Sequence, residues 1–214
     1  MFTKEELAGH SGQSFGGEEE SKIMLAVLGS VFDVTKGKKH YGPGGAYSFF
    51  TGKDASRSFV TGVFRDDPTA PLPDDLSDLT PPEVKEVFNW LSFYQKDYTW
   101  VGKLVGPFYT ESGTRTEVWR VLDAGLLEAE RLETEQKAEQ AQYPQCNSKW
   151  SQAEGGLVWC TRSVDEDLLV PRQVRSTGSK SVRCACVPVV EAEKLPGKFA
   201  PYPGCPPDSP SCVP

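Results

Sequence analysis

The stretch from Val31 to Phe64, VFDVTKGKKHYGPGGAYSFFTGKDASRSFVTGVF, limits what this chain can fold into more than any other. Val31, Phe32 and Val34 are β-formers, the run from Lys36 to Gly45 has the charge and glycine/proline content of a loop, and Asp54 is placed to cap a helix beginning at Ala55. A strand, a glycine-rich turn and a capped helix in so short a span commit the first half of the chain to an α+β unit. Two tyrosines, Tyr41 and Tyr47, bracket the glycines.

The flanking segments agree with that unit. Thr3 with Glu6 forms a capping box, and Phe2 and Leu7 occupy the staple positions, so a short helix starts at Lys4 and ends near Gly9. Gly12 to Lys22 reads as a loop, followed by strands at Ile23–Val27 and Val31–Val34 joined by Leu28-Gly29-Ser30. The proline-bearing, acidic segment from Arg65 to Asp75 reads as another loop. Thr80, Pro81 and Glu83 then open a helix whose Val84, Val87, Phe88, Leu91 and Tyr94 recur at helical spacing. Tyr98 to Val105, stopped by Gly106-Pro107, reads as the strand that closes this first domain.

A different pattern follows. Thr116 to Gln142 places Val118, Leu122, Leu126, Ala129 and Leu132 on one stripe, which predicts an amphipathic linker helix. From Tyr143 onward short strands alternate with Gly, Ser and Pro, the best being Leu157–Thr161 and Val182–Val190. All six cysteines, Cys146, Cys160, Cys184, Cys186, Cys205 and Cys212, fall here. An even cysteine set in a small module reads as a disulfide framework, whereas zinc lacks both a C-x-x-C pair and a nearby histidine. Cys184 and Cys186 would share one strand face and so reach different partners, with the pairing open among the fifteen that six cysteines allow.

Disulfides imply an oxidising compartment, secreted or luminal, yet Met1-Phe2-Thr3 begins no basic, apolar leader. The expectation is that a signal or anchor segment is absent from this chain. The longest apolar run, Ile23 to Val34, is too short and interrupted to cross a bilayer, so no transmembrane segment is expected. A net charge of -7 without a dense basic run makes nucleic acid a poor partner. Two apparent motifs fail. Thr51-Gly52-Lys53 has Tyr47 and Asp54 where a phosphate loop needs glycine and Ser or Thr, and Asp66, Asp67, Asp74 and Asp75 match no calcium-loop spacing.

The residues VFDVTKG at 31–37, YGPGGAY at 41–47, GKDASR at 52–57, DLSDLT at 75–80 and YTWVGKL at 98–104 resemble the haem-binding core of the cytochrome b5 superfamily, and specifically its membrane-associated progesterone receptor branch. The resemblance covers roughly the first half. It implies a cytochrome b5-like domain at 1–107, a linker with an amphipathic helix at 108–142 and a disulfide-rich module at 143–214. It also implies haem b, held non-covalently. In b5 proper two histidines hold the iron, but from Tyr41 to Pro214 this chain has none, and His40 sits on a charged loop expected to be exposed. A phenolate can replace imidazole on ferric iron. In the progesterone receptor branch that ligand is the tyrosine ending the glycine–proline loop, which is Tyr47 here; Tyr41 corresponds to a hydrogen-bonding neighbour and Tyr98 to the pocket wall. Some relatives carry a lysine just ahead of the last tyrosine, able to meet a haem propionate, where this chain has Asp97 with Lys96 one place earlier.

What the resemblance implies is therefore a non-enzymatic haem-binding protein with one iron face held by Tyr47 and the other open to water, a ligand, or a protein partner or receptor. The cysteine-bearing second half resembles a secreted member of the branch, which implies an extracellular factor promoting neuronal differentiation. An electron-transfer or haem-delivery accessory to membrane oxygenases is the alternative, and an interaction module with a vestigial haem site a third.

Overall fold

A computed structural model of the chain describes residues 1–12, 22–62, 74–153, 155–161, 168–175 and 182–213. Two compact units divide it, Met1–Ala129 and Glu130–Pro214. Among the described residues no helix is long and apolar enough to cross a membrane.

In the first unit, α1 (Lys4–Ala8) carries the predicted capping box, with Glu6 N–H donating to Thr3 Oγ1 at 3.1 Å and Thr3 N–H to Glu6 Oε2 at 2.8 Å. Strands β1 (Met24–Val27) and β2 (Ser30–Asp33) form an antiparallel hairpin, and β3 (Thr99–Lys103) pairs with β2 to complete a three-stranded sheet. Side chains alternate across a pleated strand. Leu25, Val27 and Phe32 accordingly enter the main core, while Met24, Ala26 and Val31 pack with Leu7 and Leu104 on the opposite face. Both faces are covered, which is why the hairpin reads as a nearly continuous apolar run.

The hairpin turn is Leu28-Gly29, both at positive φ (47° and 68°), the backbone of a two-residue turn that matches strand twist. A Cβ on Gly29 would stand 2.8 Å from the Tyr109 ring, so only glycine fits. The turn amides are held from outside the hairpin: Leu28 N–H donates to Ser56 Oγ and Gly29 N–H to Asp54 Oδ2, each at 2.7 Å. This corrects the expected role of Asp54. Its carboxylate is spent on Gly29 and Ser56, and the helix it was expected to cap begins later, as α3 (Ser58–Thr61). Burial raises the Asp54 carboxyl above its ordinary range, against the pull of those donors.

The expected loop at Lys36–Gly45 is also partly helical. A 3₁₀ turn at Thr35–Gly37 runs into α2 (Lys38–Tyr41). Thr35 donates twice to Asp33 and accepts from Ile23 N–H, fixing the exit of β2, and burial of Tyr41 anchors the following turn. A second 3₁₀ turn spans Ser48–Phe50. Helix α4 (Pro81–Asp97) has the predicted capping box and buries Val84, Val87, Leu91 and Tyr94. Asp66, Asp67 and the end of the Val31–Phe64 stretch lie outside the described residues.

Helix α5 (Glu117–Gln142) spans the boundary between the units; Trp119 and Leu122 join the first unit's core. In the second unit, β4 (Asn147–Ser151) and β5 (Gly155–Trp159) pair antiparallel, while β6 (Leu169–Arg175) and β7 (Val182–Pro188) make a longer ladder. The strand expected to run to Val190 stops at Pro188, where α6 (Val189–Lys194) begins; proline removes a ladder donor and suits a helix entrance. Short strands β8 (Phe199–Ala200) and β9 (Ser211–Cys212) complete two three-stranded sheets, ordered β7-β6-β8 and β4-β5-β9. Val170, Val174, Val187 and Phe199 form the apolar core with Tyr143. The six cysteines pair as Cys146–Cys184, Cys160–Cys186 and Cys205–Cys212. Cys184 and Cys186, two apart on β7, thus reach different partners.

Candidate functional site

Four tyrosines converge in the first unit. Tyr41 ends α2, Tyr47 ends the Gly42–Ala46 turn, Tyr94 lies on the last turn of α4, and Tyr98 immediately follows that helix, its N–H closing onto Tyr94 O at 2.8 Å. The turn places Tyr47 through a single carbonyl. His40 O accepts from Tyr47 N–H at 2.9 Å, and Gly45 packs so tightly on the same carbonyl that a Cβ there would collide with it. His40 itself is exposed, with its ring 6.0 Å from that of Tyr47.

The Tyr41 ring lies 5.9 Å from Tyr47 and 5.8 Å, edge-on, from Tyr98; Tyr94 lies 5.4 Å from Tyr98. The structure therefore brings Tyr41, Tyr47 and Tyr98 together. Their exposures differ: Tyr41 and Tyr94 are buried, Tyr98 is half-buried, and Tyr47 is 48% exposed. Phe50, itself packed on Phe49 and Phe59, continues the apolar floor beside Tyr47.

Burial and depth separate the phenols chemically. The Tyr41 hydroxyl shares a 2.9 Å hydrogen bond with the Tyr94 hydroxyl. Desolvation first, then that bond and the nearby Tyr98, push the Tyr41 phenol far above its ordinary range. Desolvation also pushes Tyr94 up, to about 12. Burial thus holds both further into the neutral form than an ordinary phenol.

Two residues of this site are missed by motif reasoning. Tyr94 reads as one more apolar-face position of α4, although a tyrosine buried in such a stripe needs a partner for its hydroxyl. Lys36 reads as an ordinary loop charge, yet its Nζ lies 4.9 Å from the Tyr98 ring centre. Asp97, by contrast, is only half-exposed and Lys96 exposed, both at the end of α4.

The model of the cytochrome b5-like heme/steroid binding domain matches residues 3–104, which contain all four tyrosines. Among curated proteins, neuferricin of Danio rerio is 43% identical over 217 residues, covering 99% of this chain and 79% of that one. Neuferricin of Homo sapiens is 38% identical over 234 residues, covering 99% and 85%. Membrane-associated progesterone-binding protein 4 of Arabidopsis thaliana is 46% identical over 186 residues, covering 87% and 73%. Similarity at this level runs through the cysteine-bearing unit as well as the tyrosine-bearing one, and the chain belongs to the neuferricin family, in the membrane-associated progesterone receptor branch of the cytochrome b5-like proteins.

Proposed function

We propose that this chain is a non-enzymatic haem-binding protein that holds haem b non-covalently through the oxygen of Tyr47. The observation that carries the reading is the contrast in exposure: of the tyrosines gathered here, Tyr47 alone presents nearly half its surface to solvent, while Tyr41 and Tyr94 are buried and held neutral. The surroundings fit a flat apolar macrocycle. Phe50, Tyr41 and Tyr98 supply an aromatic floor, and among the described residues, chain neighbours apart, no heavy atom stands within 4 Å of where a Gly44 Cβ would project.

When bound, ferric haem would supply a hard Lewis acid suited to a phenolate oxygen. Tyr47 would hold the iron through its oxygen, with Tyr41 at the adjoining ring position and Tyr98 walling the pocket. Lys36, beside Tyr98, offers the cation for a propionate that Asp97 cannot. The disulfides suit an oxidising compartment, and we place the protein in the secretory lumen or outside the cell. The 46% identical Arabidopsis relative belongs to an organism without neurons, so promotion of neuronal differentiation would be one use of a more general haem-binding state.

The test is the absorption spectrum of the ferric, haem-reconstituted protein. Phenolate ligation is expected, and it should disappear in Tyr47→Phe but persist in His40→Ala. A spectrum of imidazole ligation, or one unchanged in Tyr47→Phe, would overturn the assignment.

A further inference from the structure

Two of the disulfides are close enough to act as one. The sulfurs of Cys146, Cys160 and Cys186 all lie within 4.8 Å of one another, although Cys146 is bonded to Cys184 and not to either of the other two. Cys146, Cys160 and Cys186 are buried, packed with Val158 and Leu169, while Cys184 is the half-buried member of the four. We propose that these four cysteines form a thiol–disulfide relay, in which an external dithiol enters at Cys184 and its reducing equivalents are passed to the buried Cys160–Cys186 bond.

The chemistry follows from reach and burial. A thiolate of the dithiol attacks Cys184 Sγ, the sulfur of the partly accessible residue, forming a mixed disulfide and breaking Cys146–Cys184. The electron pair leaves on Cys146 Sγ. Burial raises the proton affinity of the released Cys146 thiolate, which makes the anion a strong nucleophile so long as a neighbouring disulfide captures it before a proton does. The acceptor in reach is the Cys160–Cys186 disulfide. Attack there forms a bridge from Cys146 to Cys160 or Cys186 and expels the other sulfur as a thiolate. The second thiol of the dithiol then displaces Cys184 from the mixed disulfide. The balance is one dithiol oxidised to its disulfide, two chain disulfides converted to one, and two chain thiols formed, which take up the two protons the dithiol gave. The spacing of Cys184 and Cys186 on one face of β7 is what places the entry sulfur and the second disulfide side by side.

The relay is tested on the full-length oxidised chain with limiting dithiothreitol at about pH 8, near the free thiol pKa. The reaction is stopped with acid, thiols are blocked with a maleimide, and non-reduced peptides are mapped by mass spectrometry. Among molecules carrying two labels on these four cysteines, the relay requires one label on Cys184, one on Cys160 or Cys186, and Cys146 in a new bridge. Labels on Cys146 and Cys184 with Cys160–Cys186 intact would overturn it, as would labels on Cys160 and Cys186 with Cys146–Cys184 intact. The variant Cys184→Ser gives a second readout without added reductant. Its odd thiol should be recovered on Cys160 or Cys186 as well as on Cys146, and recovery on Cys146 alone would contradict the relay.

Discussion

The hydroxyls of Tyr41 and Tyr94 lie 2.9 Å apart, joining the turn that carries Tyr47 to the helix that Tyr98 follows. Both phenols are raised by burial, so the folded state keeps protons that the unfolded chain releases near pH 10. The sign is that of a raised acid: the unfolded state binds fewer protons, and stability is full below about pH 10 and falls as pH rises toward the folded value of about 12 for Tyr94. Each such tyrosine contributes a slope of about 1.4 kcal/mol per pH unit in that window. Urea midpoints measured from pH 8 upward should drop beyond about pH 10, and the drop should be shallower in Tyr94→Phe. At neutral pH that variant should lose about 1–3 kcal/mol, because the Tyr41 hydroxyl is left buried without its partner, and Tyr41→Phe added to it should recover part of the loss.

Replacing Tyr47 separates ligation from packing. Tyr47→Phe keeps the ring against Tyr41 and Phe50 and removes only the oxygen, so thermal stability of the haem-free protein should change by less than about 0.5 kcal/mol while ferric haem affinity falls steeply. Tyr41→Phe acts on the neighbour of the proposed ligand and should weaken haem by roughly 10-fold, the scale of other residues that orient a metal ligand. Fluorescence-quenching titrations with ferric haem measure both, and equal affinity of Tyr47→Phe and the parent would remove Tyr47 from the site.

Lys36 is assigned to the propionate that Asp97 would repel. An exposed ion pair of this kind contributes about 0.2–1 kcal/mol, so Lys36→Ala should raise the haem dissociation constant by up to about 5-fold. The same charge logic makes Asp97→Lys favourable. Both effects should shrink in high salt, where screening shortens to a few ångströms. A Lys36→Ala effect that is undiminished in high salt would point to lost packing on Tyr98 instead.

Capping and periodicity made the regular parts of this fold legible. The boxes at Thr3/Glu6 and Thr80/Glu83 act within four residues, and the hydrogen bonds they predict are the ones the structure makes. Asp54 departs from its sequence expectation because the same residue type caps helices and ties loops. The choice depends on where Gly29 lies, twenty-five residues away. Likewise the charged run from Lys36 has loop composition, but buried Tyr41 gives its end a tertiary anchor that no local window contains. For the site, Tyr47 is proposed from what the resemblance of its glycine–proline loop implies, whereas Lys36 enters only because the chain folds β2 and the end of α4 together.

Reduction of the iron should loosen haem rather than switch on electron transfer. A hard anionic phenolate binds ferric iron more strongly than ferrous iron, and the cycle linking redox state to ligation requires the ferrous form to hold Tyr47 less tightly by the same factor that the potential is lowered. Neither histidine of the chain compensates: His10 packs edge-on to Phe2 with its Nδ1 3.2 Å from Lys22 O, and His40 is exposed at the surface. Tyr41 and Tyr94 do not compensate either, because both are buried, bonded to each other and held protonated. Haem transfer to an apo-globin should therefore run faster under anaerobic dithionite than in the ferric state, and Tyr47→Phe should abolish the difference by making ferric transfer fast as well. A carrier gripping iron by two imidazoles would instead keep its haem through the cycle. Equal transfer rates in both oxidation states, together with a reduction potential in the range of ordinary b5 carriers, would favour electron transfer over the binding role.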